Sequence, residues 1–130
     1  MPRDFKPWPY QELMIRFALK NKRCGLFVPM GMGKTSSALM IIQILKDLYG
    51  EGPALVIAPL AVARIAWPSE VRKWSDFCYL IVSPILGSTK ERVKALHTKA
   101  DVYDINYDNL QWLEYYLTRH NYTWPLTLVV

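Results

Sequence analysis

The chain alternates short, uninterrupted apolar runs with longer stretches in which apolar residues recur every three or four positions. A brief apolar run marks a strand buried on both faces, and the longer period marks a helix with one apolar side. Residues 9–22 read as an amphipathic helix, with Leu13, Ile15, Phe17, Ala18 and Leu19 interleaved with Gln11, Glu12, Arg16 and Lys20. Residues 24–28 read as a first strand, followed at once by Pro29, Gly31 and Gly33. The spacing of Leu39, Ile42, Leu45 and Leu48 predicts a helix over 35–49, stopped by Gly50 and Gly52. Residues 54–58 are a second strand, closed by Pro59.

The same alternation continues to the last residue. Residues 62–74 read as a helix that Pro68 must kink or break. Strands are expected at 78–83, 101–105 and 126–130. Helices are expected between them at 90–99 and 108–120, the second with Leu110, Leu113 and Leu117 on one face. Strands that are apolar throughout and separated by helices predict a mostly parallel sheet covered on both faces, joined by right-handed crossovers. The expected architecture is a single α/β three-layer sandwich over residues 1–130.

Composition narrows the partners more than the fold. The 130 residues are 52% apolar and 21% charged, enough to build a core and too apolar for a disordered chain. A net charge of +5 favours an anionic partner such as nucleic acid. Cys24 and Cys78 sit inside apolar runs with no CxxC and no clustered histidine, which argues against a disulfide scaffold or a zinc finger and for buried strand residues. His97 and His120 lie apart from any cysteine or carboxylate cluster and read as structural or exposed. The opening MPRDFKPWPYQ lacks the apolar stretch of a signal peptide, and no run reaches the roughly 18 apolar residues of a membrane span. The expected compartment is the cytoplasm, of a bacterial or phage-infected cell.

The strongest chemical signal is Val28-Pro-Met-Gly-Met-Gly-Lys-Thr35, set between an expected strand and an expected helix. Gly31 and Gly33 let the backbone curl so that its N–H groups, including those of Met30 and Met32, point inward at phosphates. The helix that follows adds its positive end. Lys34 can reach the β- and γ-phosphates of ATP, and the Thr35 hydroxyl can ligate Mg²⁺. Val28 stands where the general phosphate-loop pattern has a glycine, which points to a subclass that relaxes that position.

Tyr10-Gln11, with Gln11 placed 23 residues before Lys34, completes a pattern that resembles the first motor lobe of superfamily-two helicases. The Swi/Snf-type and phage DEAD/DEAH-like translocases are the most similar. In that family an aromatic-Gln pair reads adenine, and a carboxamide, with one donor and one acceptor to offer, suits the N6 and N7 edge of the base. Leu55-Val-Ile-Ala-Pro-Leu60 with the following Trp67-to-Trp74 segment, and Asp104-Ile-Asn-Tyr-Asp-Asn-Leu110, resemble two later family segments on the nucleic-acid side. The resemblance thus assigns Tyr10, Gln11, Met30, Gly31, Met32, Gly33, Lys34 and Thr35 to the nucleotide. It gives Thr35 to Mg²⁺ and Pro59, Asn106 and Tyr107 to nucleic acid, with DNA ahead of RNA.

The resemblance also implies a RecA-like phosphate-loop NTPase sheet, incomplete at its C-terminal end. In the family an acidic Asp-Glu motif follows the strand that Leu128-Val-Val130 resembles, and a second lobe carries an arginine finger. Without these the 130 residues are expected to bind ATP but not to turn it over, and to expose apolar surface that favours self-association. Two other readings fit the same loop: a truncated, non-enzymatic nucleotide- or partner-binding regulatory module, and a phosphate-loop kinase. A kinase leaves Gln11 and the proline-ended second strand without a role.

Overall fold

The structure is a computed structural model that describes residues 3–21, 34–50, 52–121 and 128–129. The expected strand at 24–28 lies outside the described residues. The elements run α1 (Pro9–Lys20), α2 (Lys34–Tyr49), β1 (Ala54–Ile57), a π-helical segment (Val62–Ala66), α3 (Trp67–Lys73), β2 (Val82–Pro84), α4 (Thr89–His97), β3 (Val102–Ile105), α5 (Tyr107–Arg119) and β4 (Leu128–Val129). The strands pair in parallel in the order β2-β3-β1-β4, with Ala54 opposite both Val102 and Leu128.

Two apolar cores confirm the three layers. Leu39 and Ile42 of α2 meet Val56, Val102, Trp67 and Phe77 on one face of the sheet. Leu55, Tyr103 and Ile105 meet Leu96 of α4 and Leu113 of α5 on the other. Successive residues of β1 and β3 therefore point to opposite cores, as strand geometry requires. Each fully buried aliphatic side chain in these cores contributes about 1.5–3 kcal/mol.

Several local expectations are corrected. Pro68 does not break the helix, because Trp67 N–H donates to Val62 O five residues back, and this wider turn makes room for a ring that would clash in an α-helix. The apolar run at 78–83 is mostly not a strand. Phe77 and Leu80 reach the core from a succession of turns, held by Phe77 N–H to Trp74 O at 3.2 Å and Leu80 N–H to Phe77 O at 2.9 Å. Cys78 falls in those turns and is exposed, its thiol donating to Ser75 O at 3.3 Å, so it is not a buried strand residue. Leu13, Phe17 and Leu48 keep the helical period but face outward.

Residues 3–8 form a strap across the end of α3. Arg3 N–H donates to Lys73 O at 3.0 Å, and Ser75 N–H returns a bond to Arg3 O at 2.7 Å. Phe5 N–H donates to the Asp76 carboxylate at 2.6 Å, and the Phe5 ring packs 5.3 Å from Trp74 and 5.2 Å from Phe77. This strap sets where α1 begins.

Candidate nucleotide site

The site starts at the first turn of α1. Trp8 is its N-cap, Pro9 occupies the first helical position where no N–H is needed, and Gln11 falls at the third. From there the Gln11 Oε1 accepts from Trp8 N–H at 2.9 Å, which satisfies a donor the helix leaves open. Its Nε2 donates to the Ser36 hydroxyl at 3.2 Å. Gln11 and Ser36 are each only 3% exposed. The N–H of Trp8 faces an oxygen and not a second donor, so the carboxamide has a fixed polarity.

Ser36 belongs to the first turn of α2, next to Lys34 and Thr35. Lys34 is exposed and forms no ion pair among the described residues, while Thr35 is half-buried. That turn carries no acidic residue. A lysine and no carboxylate at the positive end of a helix is unfavourable for the helix itself. The arrangement is favourable once an anion sits there. Met30, Gly31, Met32 and Gly33, expected to cradle the phosphates, lie outside the described residues. Tyr10 is half-buried at the second helical position of α1.

The short 50–53 connection joins the end of α2 to the start of β1, and Gly50, at φ +65°, makes the turn. Helix α2 therefore runs back along the sheet, and its first turn lies toward the edge where the strands end. Pro59 follows β1 and Asn106 follows β3, whose last residues, Ile57 and Ile105, stand opposite each other. Pro59 and Tyr107 are exposed, whereas Asn106 is 8% exposed, with its Oδ1 lacking a hydrogen-bond partner. Topology thus gathers the three residues assigned to nucleic acid at one edge of the sheet.

Ser36 carried no sequence signal, because a hydroxyl pairing with an amide 25 positions away follows no period. Asp104 is a second surprise. It is fully buried on β3 with neither oxygen hydrogen-bonded, and burial pushes its carboxyl up from 3.8 to about 7. Arg92 donates to Gly87 O and Asn109 Oδ1 and lies 4.7 Å over the Trp112 ring, fastening α4 to α5. His97, exposed on α4, pairs with the Tyr116 hydroxyl at 2.9 Å. Among the described residues there is no metal-binding cluster of His, Cys, Asp and Glu, and no helix is long and apolar enough to cross a membrane.

The SNF2-related domain model matches residues 10–129. The chain is 44% identical over 133 residues to protein p41 of Acyrthosiphon pisum secondary endosymbiont phage 1, covering 98% of this chain and 28% of that protein. It is 34% identical over 95 residues to the human DNA annealing helicase and endonuclease ZRANB3, covering 72% of this chain and 8% of that protein. The Sulfolobus solfataricus SWI2/SNF2 ATPase core, solved in complex with dsDNA, matches at a TM-score of 0.64 and 25% identity over 83% of this chain and 23% of its own. This chain therefore spans less than a third of each of these relatives, and it belongs to the SNF2-related domain family, with the RecA-like fold of the SWI2/SNF2 ATPase core.

Proposed function

We propose that the chain is the ATP-binding first lobe of an ATP-dependent DNA helicase or translocase. The observation that carries the reading is the Gln11–Ser36 hydrogen bond. It sets a carboxamide of fixed polarity against the helical turn that also presents Lys34 and Thr35. Base recognition and phosphate binding thus converge on one end of α2, as a single nucleotide requires. Tyr10 and Gln11 take the adenine, Gly31 and Gly33 with the backbone of Met30 and Met32 take the phosphates, and Lys34 pairs with the β- and γ-oxygens. Thr35 would hold Mg²⁺, which would offset the charge of the phosphates. DNA lies across the strand-end edge at Pro59, Asn106 and Tyr107, a reading supported by the duplex in the Sulfolobus complex.

Calorimetry with Mg-ATP tests the site. A lysine-to-phosphate contact is charge-assisted, so Lys34→Ala should weaken binding by about 10- to 100-fold. Equal affinity for the two proteins would refute the phosphate-loop reading.

A further inference from the structure

Gln11 and Ser36 come from different helices, yet each is almost fully enclosed and each faces the other. Two of the bonds that hold the Gln11 carboxamide do different jobs. Trp8 N–H belongs to the same helix as Gln11 and decides which end of the amide is oxygen. It does not by itself fix where that amide sits relative to the phosphate end of the site, because Trp8 and Gln11 belong to the same helix. The Ser36 hydroxyl belongs to α2 and sits one residue beyond Thr35, so its bond ties the position of the carboxamide to the turn that holds the triphosphate.

We propose that Ser36 is a positioning residue for base selection. By holding Gln11 Nε2 in register with the first turn of α2, it lets adenine reading and phosphate binding act on one nucleotide at the same time. This rests on the proposed reading of Gln11 as the adenine contact. A nucleotide is rigid enough in its bound form that its base and its γ-phosphate demand a set separation. A carboxamide free to drift makes its two base contacts only by giving up alignment. Guanine presents two acceptors where adenine presents a donor and an acceptor. Only a fixed amide penalises the wrong base, so loosening it should erode discrimination before it erodes phosphate affinity.

The test is the ratio of ATP to GTP affinity, with inorganic triphosphate as the probe for the phosphate end alone, measured on the full 130-residue chain with Mg²⁺. Ser36→Ala should lower the ATP preference by about 3- to 10-fold, the range of one neutral hydrogen bond, and leave triphosphate binding at the wild-type level. Ser36→Thr keeps the hydroxyl and should restore the preference. Gln11→Ala should abolish it. A thermal melt of each variant identifies any that fails to fold, and for these Ser36→Cys, which keeps the volume but has only a weak acceptor, replaces Ser36→Ala.

The outcomes separate the two ideas. If Gln11→Ala discriminates as wild type does, or wild type binds neither nucleotide, the nucleotide-site reading itself is wrong. If Gln11→Ala loses discrimination while Ser36→Ala keeps it, or Ser36→Ala loses ATP, GTP and triphosphate alike, the positioning role is overturned and Ser36 is only a packing contact.

Discussion

Asp104 stands directly opposite Val56 in the parallel pairing of β1 with β3, and neither of its carboxylate oxygens has a hydrogen-bond partner. Its face of the sheet is the core built around Val56, Val102 and Trp67. Burial drives its carboxyl up to about 7. In the unfolded chain the same group loses its proton near 3.8. Between those values the folded state holds a proton the unfolded state has released, so stability falls as pH rises from about 4 and levels off above about 7. The full loss is on the order of 4 kcal/mol. Urea unfolding at pH 5 and pH 8 should show about two thirds of it. Asp104→Val should flatten the profile and be the more stable protein at pH 8. Parallel profiles for the two proteins would disprove the assignment.

The strap makes a second prediction. The Phe5 N–H to Asp76 bond joins residues 71 apart, and the Asp76 carbonyl also accepts from Gln43 of α2 at 3.4 Å. A bond to an ionised acceptor contributes roughly 1.5–3 kcal/mol. Asp76→Ala should lose about that much in urea unfolding, and Asp76→Asn, which keeps an acceptor oxygen, clearly less. If Asp76→Asn and Asp76→Ala are equally destabilised, the bond is not what holds the strap.

Much of this fold is legible in the sequence where one physical effect dominates. β1 and β3 follow from apolar runs that no helix of that length could use, and α2 and α5 from a period sustained over three or more turns. The reading fails where two arrangements bury the same residues. Phe77 and Leu80 reach the core from turns as well as they would from a strand, so the run at 78–83 looks like a longer strand than β2. Pro68 signals a break, and the backbone instead absorbs it in the π turn at Val62–Ala66. In the site, Gln11 and Lys34 stand out because their chemistry is distinctive at their spacing. Ser36 does not, because its role exists only once α1 lies against α2. Asp104 hides inside an apolar run, where alternation says it is buried but nothing says it is unpaired.

Leu13 and Phe17 lie one helical turn apart on α1 and are 70% and 49% exposed. An apolar pair this open on a short helix favours association between copies. Light scattering should show an apparent mass that rises with concentration, and Leu13→Glu with Phe17→Glu should reduce the rise. A monodisperse monomer at high concentration would count against it.

Turnover separates the binding lobe from the motor. Phosphoryl transfer needs a metal held in place, an oriented water and charge on the transition state, besides a phosphate cradle. Thr35 would supply part of the metal site and Lys34 part of the charge, and neither orients a water. The acidic residues around β3 have other settings. Asp101 is paired with Lys46 at 2.9 Å and accepts from Ile81 N–H at 2.8 Å, at the edge where the strands begin and away from Lys34. Asp104 is sealed in the core. Asp108 is exposed in the first turn of α5, where a carboxylate serves its own helix. We therefore expect the 130 residues to show no ATP hydrolysis above background in a phosphate-release assay, with or without DNA. Joining them to an acidic Asp-Glu strand end and a second lobe with an arginine should give turnover that DNA stimulates. An arginine finger alone is worth about 10³–10⁵ in rate, so the contrast should be plain. DNA-stimulated hydrolysis by the 130 residues alone, lost in Asp108→Asn, would mean that Asp108 holds the metal and that the lobe is complete without a partner.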